Sequence, residues 1–407
     1  MDCKIILSLP GQNSPDHTFC YRLNCVPTKF YTEAQTLSAM VFTTPLVAVY
    51  FGAVSLVGIL TNLLTLWVIT FIFYGIMAVC LFGFIGSAWG SVLGWIVSWP
   101  IRYVLQVAKV AAAFPLSAVY TASIYIVIFL FFAYVLLAVF LAIKRKHPAM
   151  LVCCLILCLC ICLGASWVEP ICDDVRMTVL DVGQGQAIIL QSEGKTFLVD
   201  CGGDSDTAAA DAAAEKLLSM GISRLDGLIL THYDRDHAGG AIYLLSRVRA
   251  DALYLPVCVD TDGYSEPLMQ MPQAVLVDDH MQISFGAVTI KLITTDYGIS
   301  NNESGLCVLF QRENCDILIT GDRNIYGEKD LLRQIDLPDL EVLIVGHHGS
   351  KYSTSAELLE AGRPDIAIIS VGENSYGHPT KEVLDRLAEF GCQAYRTDQQ
   401  GTITFRR

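Results

Sequence analysis

Two kinds of hydrophobic pattern divide the chain. Up to about residue 168, apolar residues occur in long runs, at 41–60, 63–86, 119–143 and 149–168. Each run is close to the roughly 20 residues that an α-helix needs to cross the hydrocarbon core of a bilayer. From Val175 onward the apolar runs are short and β-branched, and glycine and aspartate turns separate them. The pattern therefore predicts membrane-spanning helices followed by a water-soluble domain.

The stretch between the second and third runs has a different pattern. Trp95, Trp99 and Arg102 lie three or four residues apart among apolar residues, so a helix would place them on one face. Indole rings are enriched where a membrane meets water. The spacing predicts an amphipathic helix in the membrane interface, and a tilted transmembrane span is the alternative.

The soluble part alternates strand-like runs with helical patterns. Strands are predicted at 177–182, 187–191, 196–200, 227–231, 306–311, 316–320, 342–345 and 366–371, and helices at 207–220 and 380–390. Two packed β-sheets flanked by helices account for this order. The predicted fold class is an α-helical membrane domain followed by an α+β domain.

Charge is divided in the same way. The chain has 407 residues, 53% of them hydrophobic, and a mean hydropathy of +0.49, which excludes an ordinary soluble enzyme. From Glu169 onward it carries 37 of the 40 acidic and 19 of the 27 basic residues, a net charge near −18. The basic segment 144–146 separates the last two runs. The positive-inside rule puts that segment in the cytoplasm, so we expect the acidic domain on the extracytoplasmic side.

The strongest chemical signal is the stretch 231–240, which reads T-H-Y-D-R-D-H-A-G-G. His232, Asp234, Asp236 and His237 lie within six residues at the end of a predicted strand. Imidazole and carboxylate groups suit Zn²⁺ and Mn²⁺. A solvated acidic turn is the simpler interpretation, but so dense a group of ligands is costly unless a cation offsets its charge. The motif therefore predicts a metal site.

Two further predicted strands end in potential ligands. C-D-I-L-I-T-G-D, at 315–322, ends at Asp322, and V-L-I-V-G-H-H-G-S, at 342–350, contains His347 and His348. For either histidine alone, a buried structural role would be the default interpretation. Beside the first motif we predict that Asp322 bridges two metal ions and that one of the two histidines completes a site.

These motifs resemble the metallo-β-lactamase superfamily, and more closely the ComEC family of DNA-internalisation competence proteins. The soluble strings that carry the resemblance are L-D-V-G-Q-G-Q-A (180–187), L-V-D-C-G-G (198–203), L-T-H-Y-D-R-D-H-A-G-G (230–240), L-I-T-G-D (318–322), V-G-H-H-G-S-K-Y-S-T-S (345–355), I-S-V-G-E-N-S-Y-G-H-P-T (369–380) and Y-R-T-D-Q-Q-G (395–401). In the membrane part, T-P-L-V-A-V-Y-F-G-A-V-S-L-V-G-I-L-T-N-L-L (44–64) is similar to the competence domain of that family.

The resemblance implies a domain organisation and a fold. Residues 41–168 would be a partial competence-type transmembrane domain, and residues 170–407 a metallo-β-lactamase fold, an αββα sandwich. The resemblance leaves residues 1–40 unassigned, and we expect an N-terminally shortened member of the family. Asp234 stands where the superfamily usually has its second histidine, and no histidine occupies the usual third-motif position. One metal site would be oxygen-rich, so Mn²⁺ or Zn²⁺ is expected, as one ion or two.

The function implied is a multi-pass protein of the cell membrane (inner or plasma membrane) that cleaves phosphodiester bonds of DNA during uptake in natural transformation. Asp236 would orient or deprotonate water and His378 would protonate the leaving oxygen, while Ser350 and Lys351 would hold phosphate oxygens. For Lys351 and His378 an exposed loop side chain is the alternative. Single-stranded DNA, the lipid bilayer and other DNA-uptake proteins are the implied partners. The alternatives are an uptake-channel component with a vestigial metal domain and a hydrolase of a small phosphoester or acyl compound.

Overall fold

The computed structural model describes residues 43, 46–48, 53–112, 114, 117–120, 123–143, 147–294 and 305–407. The N-terminal segment 1–40 and the basic segment 144–146 lie outside these residues. The chain divides into two compact units, Met1–Ala122 and Ser123–Arg407. The domain limits expected from the sequence, 41–168 and 170–407, stay predictions.

The first unit contains a pair of long helices, α1 (Gly58–Ile85) and α2 (Ser87–Ala112). They run antiparallel and in close contact because glycines face each other, and a Cβ atom added at Gly90 would lie 2.9 Å from the Cα atom of Gly83. Strand β1 (Ala53–Ser55) pairs with β2 (Ala118–Tyr120). The predicted run 41–60 is therefore not one continuous helix. Helix α2 coincides with the predicted amphipathic helix, whose position in the interface stays a prediction.

The second unit begins with helices α3 (Ile124–Ala142) and α4 (Pro148–Cys172). Proline at the first position of α4 suits a helix start, because its fixed φ is helical and its missing N–H needs no partner there. Among the described residues, three helical segments are long and apolar enough to cross a membrane: Leu60–Ile85, Ile124–Ala142 and Pro148–Ala165. They coincide with three of the four apolar runs in the sequence.

After α4 the chain forms two seven-stranded sheets. The first has the order β10-β9-β7-β5-β4-β3-β18, with β3 (Arg176–Val179), β4 (Ile188–Ser192), β5 (Lys195–Val199), β7 (Gly227–Ile229), β9 (Leu253–Pro256), β10 (Ala274–Val277) and β18 (Ile403–Arg406). The second has the order β11 to β17, with β11 (Met281–Phe285), β12 (Val288–Ile293), β13 (Cys307–Arg312), β14 (Cys315–Ile319), β15 (Val342–Ile344), β16 (Ile366–Ile369) and β17 (Gln393–Arg396). A short pair, β6 (Arg224–Leu225) and β8 (Arg249–Ala250), stands apart.

Helices cover the outer faces of both sheets. On the first sheet these are α5 (Asp206–Ser219), α7 (Ala241–Leu245) and α8 (Ser265–Met269), and on the second α9 (Ile325–Gln334), α10 (Ala356–Gly362) and α11 (Lys381–Glu389). Two short helices, α6 (Arg235–Ala238) and α12 (Thr397–Gln400), lie in loops. A third apolar layer between the sheets includes Ile188, Phe310 and Ile344. The predicted αββα sandwich is confirmed.

Each sheet is half antiparallel and half parallel. Strands β5, β7, β9 and β10 are parallel in the first sheet, and β14 to β17 are parallel in the second. The carboxyl ends of neighbouring parallel strands meet at one edge, and this edge is where open α/β sheets bind ligands. Strands covered on both faces are nearly continuous apolar runs, which is why the sequence located most of the parallel ones.

Candidate metal centre

The predicted ligands lie directly after parallel strands. His232 follows β7, Asp322 follows β14, and His347 and His348 follow β15. Asp200, which the sequence placed at the end of a strand, follows β5 in the same way. The two sheets face each other, so these strand ends bring five side chains to one region. Sheet topology thus explains why ligands about 115 residues apart in sequence, from His232 to His348, meet in space.

The backbone around Asp236 and His237 is fixed by neighbouring loops. The N–H of Gln186 donates to the carbonyl oxygen of Asp236 at 2.9 Å, and the N–H of Cys201 donates to the carbonyl of His237 at 2.7 Å. Gly202 makes this approach feasible, because a Cβ atom there would lie 2.2 Å from the carbonyl carbon of Asp236. The glycine-containing motifs at 180–187 and 198–203 therefore support the loop that carries the ligands.

The side chains form two groups with ligand atoms within 4.8 Å of one another. One contains Asp236, His237, Asp322 and His348; the other contains His232, Asp234 and Asp236. Asp236 belongs to both groups. Asp322 Oδ1 lies 3.0 Å from His237 Nε2, and its Oδ2 lies 3.9 Å from His232 Nε2. Asp322 thus faces histidines of both groups, in the position expected of a bridging carboxylate.

Hydrogen bonds set the tautomers of three histidines. His348 Nδ1 donates to the carbonyl oxygen of Ser370 at 2.8 Å, and His237 Nδ1 donates to Asp200 Oδ2 at 2.8 Å. Thr231 Oγ1 gives its only hydrogen to Asp200 Oδ2 at 2.8 Å, so it accepts from His232 Nδ1 at 3.0 Å. In the neutral form each imidazole therefore presents a lone pair on Nε2, the arrangement typical of metal-ligating histidines.

Two buried atoms of the group lack hydrogen-bond partners among the described residues, His232 Nε2 and Asp322 Oδ1. A buried polar atom without a partner is costly and uncommon. Both atoms face the region shared by the other ligand atoms. The donor set of imidazoles and carboxylates suits a divalent ion, so the residues present fit the cofactor that the fold implies.

The pKa values of the cluster also fit a site for a divalent cation. Burial, followed by the charge of the nearby His237, lowers the pKa of His232 to about 4. Burial also favours the neutral form of His237, but Asp322 and Asp200 outweigh it and raise the pKa of His237 well above its ordinary value. For Asp236, burial is outweighed by His348 and His237, which lower the pKa of the carboxyl to about 2. The carboxylates are charged at neutral pH, so the site calls for positive charge.

The structure distinguishes His347 from His348. His348 is buried within the cluster, whereas the side chain of His347 is 36% exposed and its Nε2 lies 3.6 Å from Asp322 Oδ2. Both residues have a positive φ, 48° and 54°, which is strained for residues other than glycine. The tight turn that results turns His348 inward and leaves His347 at the rim.

The other predicted site residues lie around this rim. Ser350 is buried, and its N–H donates to the carbonyl oxygen of His347 at 2.9 Å. Lys351 is exposed, with its Nζ 5.0 Å from the ring centre of Tyr352. The ring of His378 lies 5.7 Å from that of His347. Geometry places Ser350 and His378 beside the cluster and Lys351 at the adjacent surface.

Sequence reasoning missed the residues that orient the ligands. Asp200 was interpreted only as the last residue of a strand, and Thr231 only as part of the metal motif. Asp200 is fully buried with φ of 59°. The available signal was an acid at the end of an apolar strand, followed by Cys201 and then two glycines, since a charge at a position expected to be buried needs a partner.

Comparison with known proteins identifies the two parts of the chain. Residues 180–373 match the family model of the metallo-beta-lactamase superfamily, and residues 11–146 match the Competence protein model. The chain is 27% identical over 400 residues to ComE operon protein 3 of Bacillus subtilis, covering 91% of this chain and 51% of the relative. The chain belongs to the ComEC family.

Two further ComEC-family relatives match over shorter stretches of the chain. Identity is 30% over 237 residues with Competence protein ComA of Neisseria gonorrhoeae, covering 57% of this chain and 32% of the relative. It is 33% over 234 residues with Recombination protein 2 of Haemophilus influenzae, covering 56% of this chain and 28% of the relative. The chain thus spans about half the length of ComE operon protein 3 and about a third or less of the other two relatives.

Proposed function

We propose that this ComEC-family chain is a membrane-anchored, metal-dependent phosphodiesterase that cleaves DNA during uptake. The observation that carries the proposal is the convergence of three oriented imidazoles, His232, His237 and His348, on the carboxylates Asp236 and Asp322. A vestigial domain would have no need to keep buried, unpaired ligand atoms together. The intact cluster therefore favours a working hydrolase over a channel component that has lost its metal.

The ligands would hold Mn²⁺ or Zn²⁺ in one or two sites. The first site would be formed by His237, His348, Asp236 and Asp322, and the second by His232, Asp234 and Asp236 or Asp322. A bound divalent ion lowers the pKa of water and neutralises charge on phosphoryl oxygens. The second group contains one histidine and is rich in carboxylate oxygen, which suits Mn²⁺ as well as Zn²⁺.

The remaining steps fall to side chains of this chain. Asp236 remains ionised at neutral pH because His348 and His237 stabilise its charge, so it can accept a hydrogen bond from an attacking water and orient it. Burial, followed by the charge of His347, lowers the pKa of His378. His378 is therefore neutral at pH 7 and would act toward the leaving oxygen through an imidazole N–H. Ser350 and Lys351 would contact phosphate oxygens.

The proposed substrate is single-stranded DNA, and the proposed location is the cell membrane. The names of two relatives refer to competence and to recombination, which favours DNA over a small phosphoester. The three apolar helices fit a multi-pass membrane protein. We further propose that the soluble part lies on the extracytoplasmic side, where incoming DNA and other DNA-uptake proteins would meet it.

The test uses the full chain purified in detergent. Cleavage of a labelled single-stranded oligonucleotide is measured after reconstitution with Mn²⁺ or Zn²⁺, with a chelator, and in the Asp236→Asn variant. We expect cleavage that the chelator abolishes and the variant lowers by orders of magnitude. Asp226→Asn is the matched control, because Asp226 holds the N–H of Thr196 at the opposite end of β5. Metal-independent cleavage, or full activity in Asp236→Asn, would refute the proposal.

A further inference from the structure

A row of rings leads from the buried cluster to the surface. The ring centres of His348 and His347 are 6.3 Å apart, those of His347 and His378 are 5.7 Å apart, and those of His378 and Tyr376 are 5.9 Å apart. His348 is buried, His347 and His378 are half-buried, and Tyr376 is 74% exposed. The row ends in a large aromatic side chain that the protein leaves in water.

The loop that carries Tyr376 is held in place by one side chain. Asn374 Nδ2 donates to the carbonyl oxygens of Gly372 and His378, each at 2.9 Å, and Asn374 Oδ1 accepts from the N–H of His378 at 3.0 Å. These three hydrogen bonds, between Gly372 and His378, fix the backbone on both sides of Tyr376. An aromatic ring on such a loop loses little conformational entropy when it binds a flat partner.

The arrangement of the rings suits a stacked base. The Tyr376 and His378 rings are tilted by only 32° to each other, whereas the His347 and His378 rings are nearly perpendicular, at 83°. Tyr376 and His378 therefore present similar planes, close to the site where the phosphodiester would react. Aromatic side chains bind single-stranded nucleic acid by stacking on successive bases.

Charge gives a second reason for a contact of this kind. From Glu169 onward the net charge is near −18, so general attraction to the phosphate backbone cannot supply the affinity. Ser375 and Gly377, which flank Tyr376, are uncharged, and the exposed Glu373 in the same loop adds to the negative charge. Stacking is insensitive to this negative charge, because it uses the face of the ring and not an ion pair.

We propose that Tyr376 is the stacking platform for a nucleobase next to the scissile phosphate and makes the site selective for single-stranded DNA that carries bases. The inference rests on the proposed phosphodiesterase function and adds a specificity-determining residue to it. A base inside a duplex is already stacked on its neighbours and leaves no face free for Tyr376. Double-stranded DNA would therefore bind less well at this position.

The test compares two strands of equal charge, a short oligothymidine and a strand of the same length made of abasic sites. Their Kd values for the full chain in detergent are measured by fluorescence anisotropy with a chelator present, so that both strands stay intact. We expect the wild type to prefer oligothymidine. Tyr376→Ala should weaken oligothymidine binding roughly 5- to 150-fold and leave abasic-strand binding unchanged. Tyr376→Phe should restore the preference.

The matched control is Tyr243→Ala, which removes a tyrosine of 50% exposure on α7, outside the row of rings. It should leave both Kd values unchanged. Equal binding of the two strands by the wild type, or equal weakening of both by Tyr376→Ala, would overturn the inference. A wild type that prefers oligothymidine but cleaves neither strand with metal would refute the phosphodiesterase and leave the stacking platform standing. If the wild type bound double-stranded DNA more tightly than single-stranded DNA, the proposed stacking role of Tyr376 would be wrong.

Discussion

Asp200→Asn should lower metal affinity without unfolding the protein. The wild-type carboxylate accepts four hydrogen bonds: from the backbone N–H of Thr231 at 2.7 Å, and from Thr231 Oγ1, Gln186 Nε2 and His237 Nδ1, each at 2.8 Å. Asparagine has the same shape but replaces one oxygen by a donor. Either orientation of the amide then places a donor against a donor.

The two orientations have different consequences. With its oxygen toward the Thr231 backbone, the amide NH₂ faces His237 Nδ1, which must become an acceptor and move its proton to Nε2. That tautomer has no lone pair for a metal ion. With the amide flipped, the N–H of Thr231 loses its partner, and a buried unpaired donor costs about 1 to 3 kcal/mol. Loss of a residue that orients a ligating histidine typically lowers metal affinity 10- to 100-fold, about 1.4 to 2.8 kcal/mol.

The assay is competition between the full chain in detergent and a chelator of known affinity, for Mn²⁺ and for Zn²⁺. Thermal unfolding in the chelator separates an effect on metal affinity from an effect on folding. Asp226→Asn, which replaces a carboxylate that holds a strand at the other end of β5, should bind metal like the wild type. An unchanged metal affinity in Asp200→Asn would mean that Asp200 does not orient His237.

Two further predictions concern stability and topology. Burial raises the pKa of Glu328 from 4.5 to about 7. The folded state therefore binds the proton of this carboxyl more tightly than the unfolded state does. The contribution of this proton to the free energy of unfolding is complete below about pH 4.5 and falls by about 3 kcal/mol as the pH rises through 7. The stability gap between wild type and Glu328→Gln should change by that amount between pH 4.5 and 8, and a constant gap would refute it. A reporter fused after Arg407 should be active outside the cytoplasm; a cytoplasmic signal would refute the proposed orientation.

The sequence predicted the central strands of each sheet and missed the strands toward the edges. Strands β7, β14, β15 and β16 are buried on both faces, and a short β-branched run identifies such a strand. The strands β11 and β12 carry alternating polar positions, as in M-Q-I-S-F, and were not predicted. An edge strand shares its pattern with an extended loop, and only its hydrogen-bonded neighbour makes it a strand.

Most of the candidate metal ligands could also be predicted from the sequence. Each predicted ligand follows a strand, because residues at strand ends project into the cleft at that edge of the sheet. The choice between His347 and His348 could not be made from the sequence. It depends on two positive φ angles in one tight turn, and these follow from how the turn packs and not from the identity of the two residues.

The glycine motifs show how the fold and the site depend on one another. Neither 180–187 nor 198–203 supplies a metal ligand, yet both approach the backbone of the loop at 236–237 so closely that a side chain would collide with it. At Gly185 a Cβ atom would lie 2.7 Å from the carbonyl oxygen of Asp236. The N–H of Gln186 donates to that carbonyl oxygen, and the N–H of Cys201 donates to the carbonyl oxygen of His237. The position of the metal ligands is therefore set not only by side chains such as Asp200 but also by main-chain contacts from two loops without ligands, which is why the glycines of these motifs belong to the catalytic apparatus proposed here.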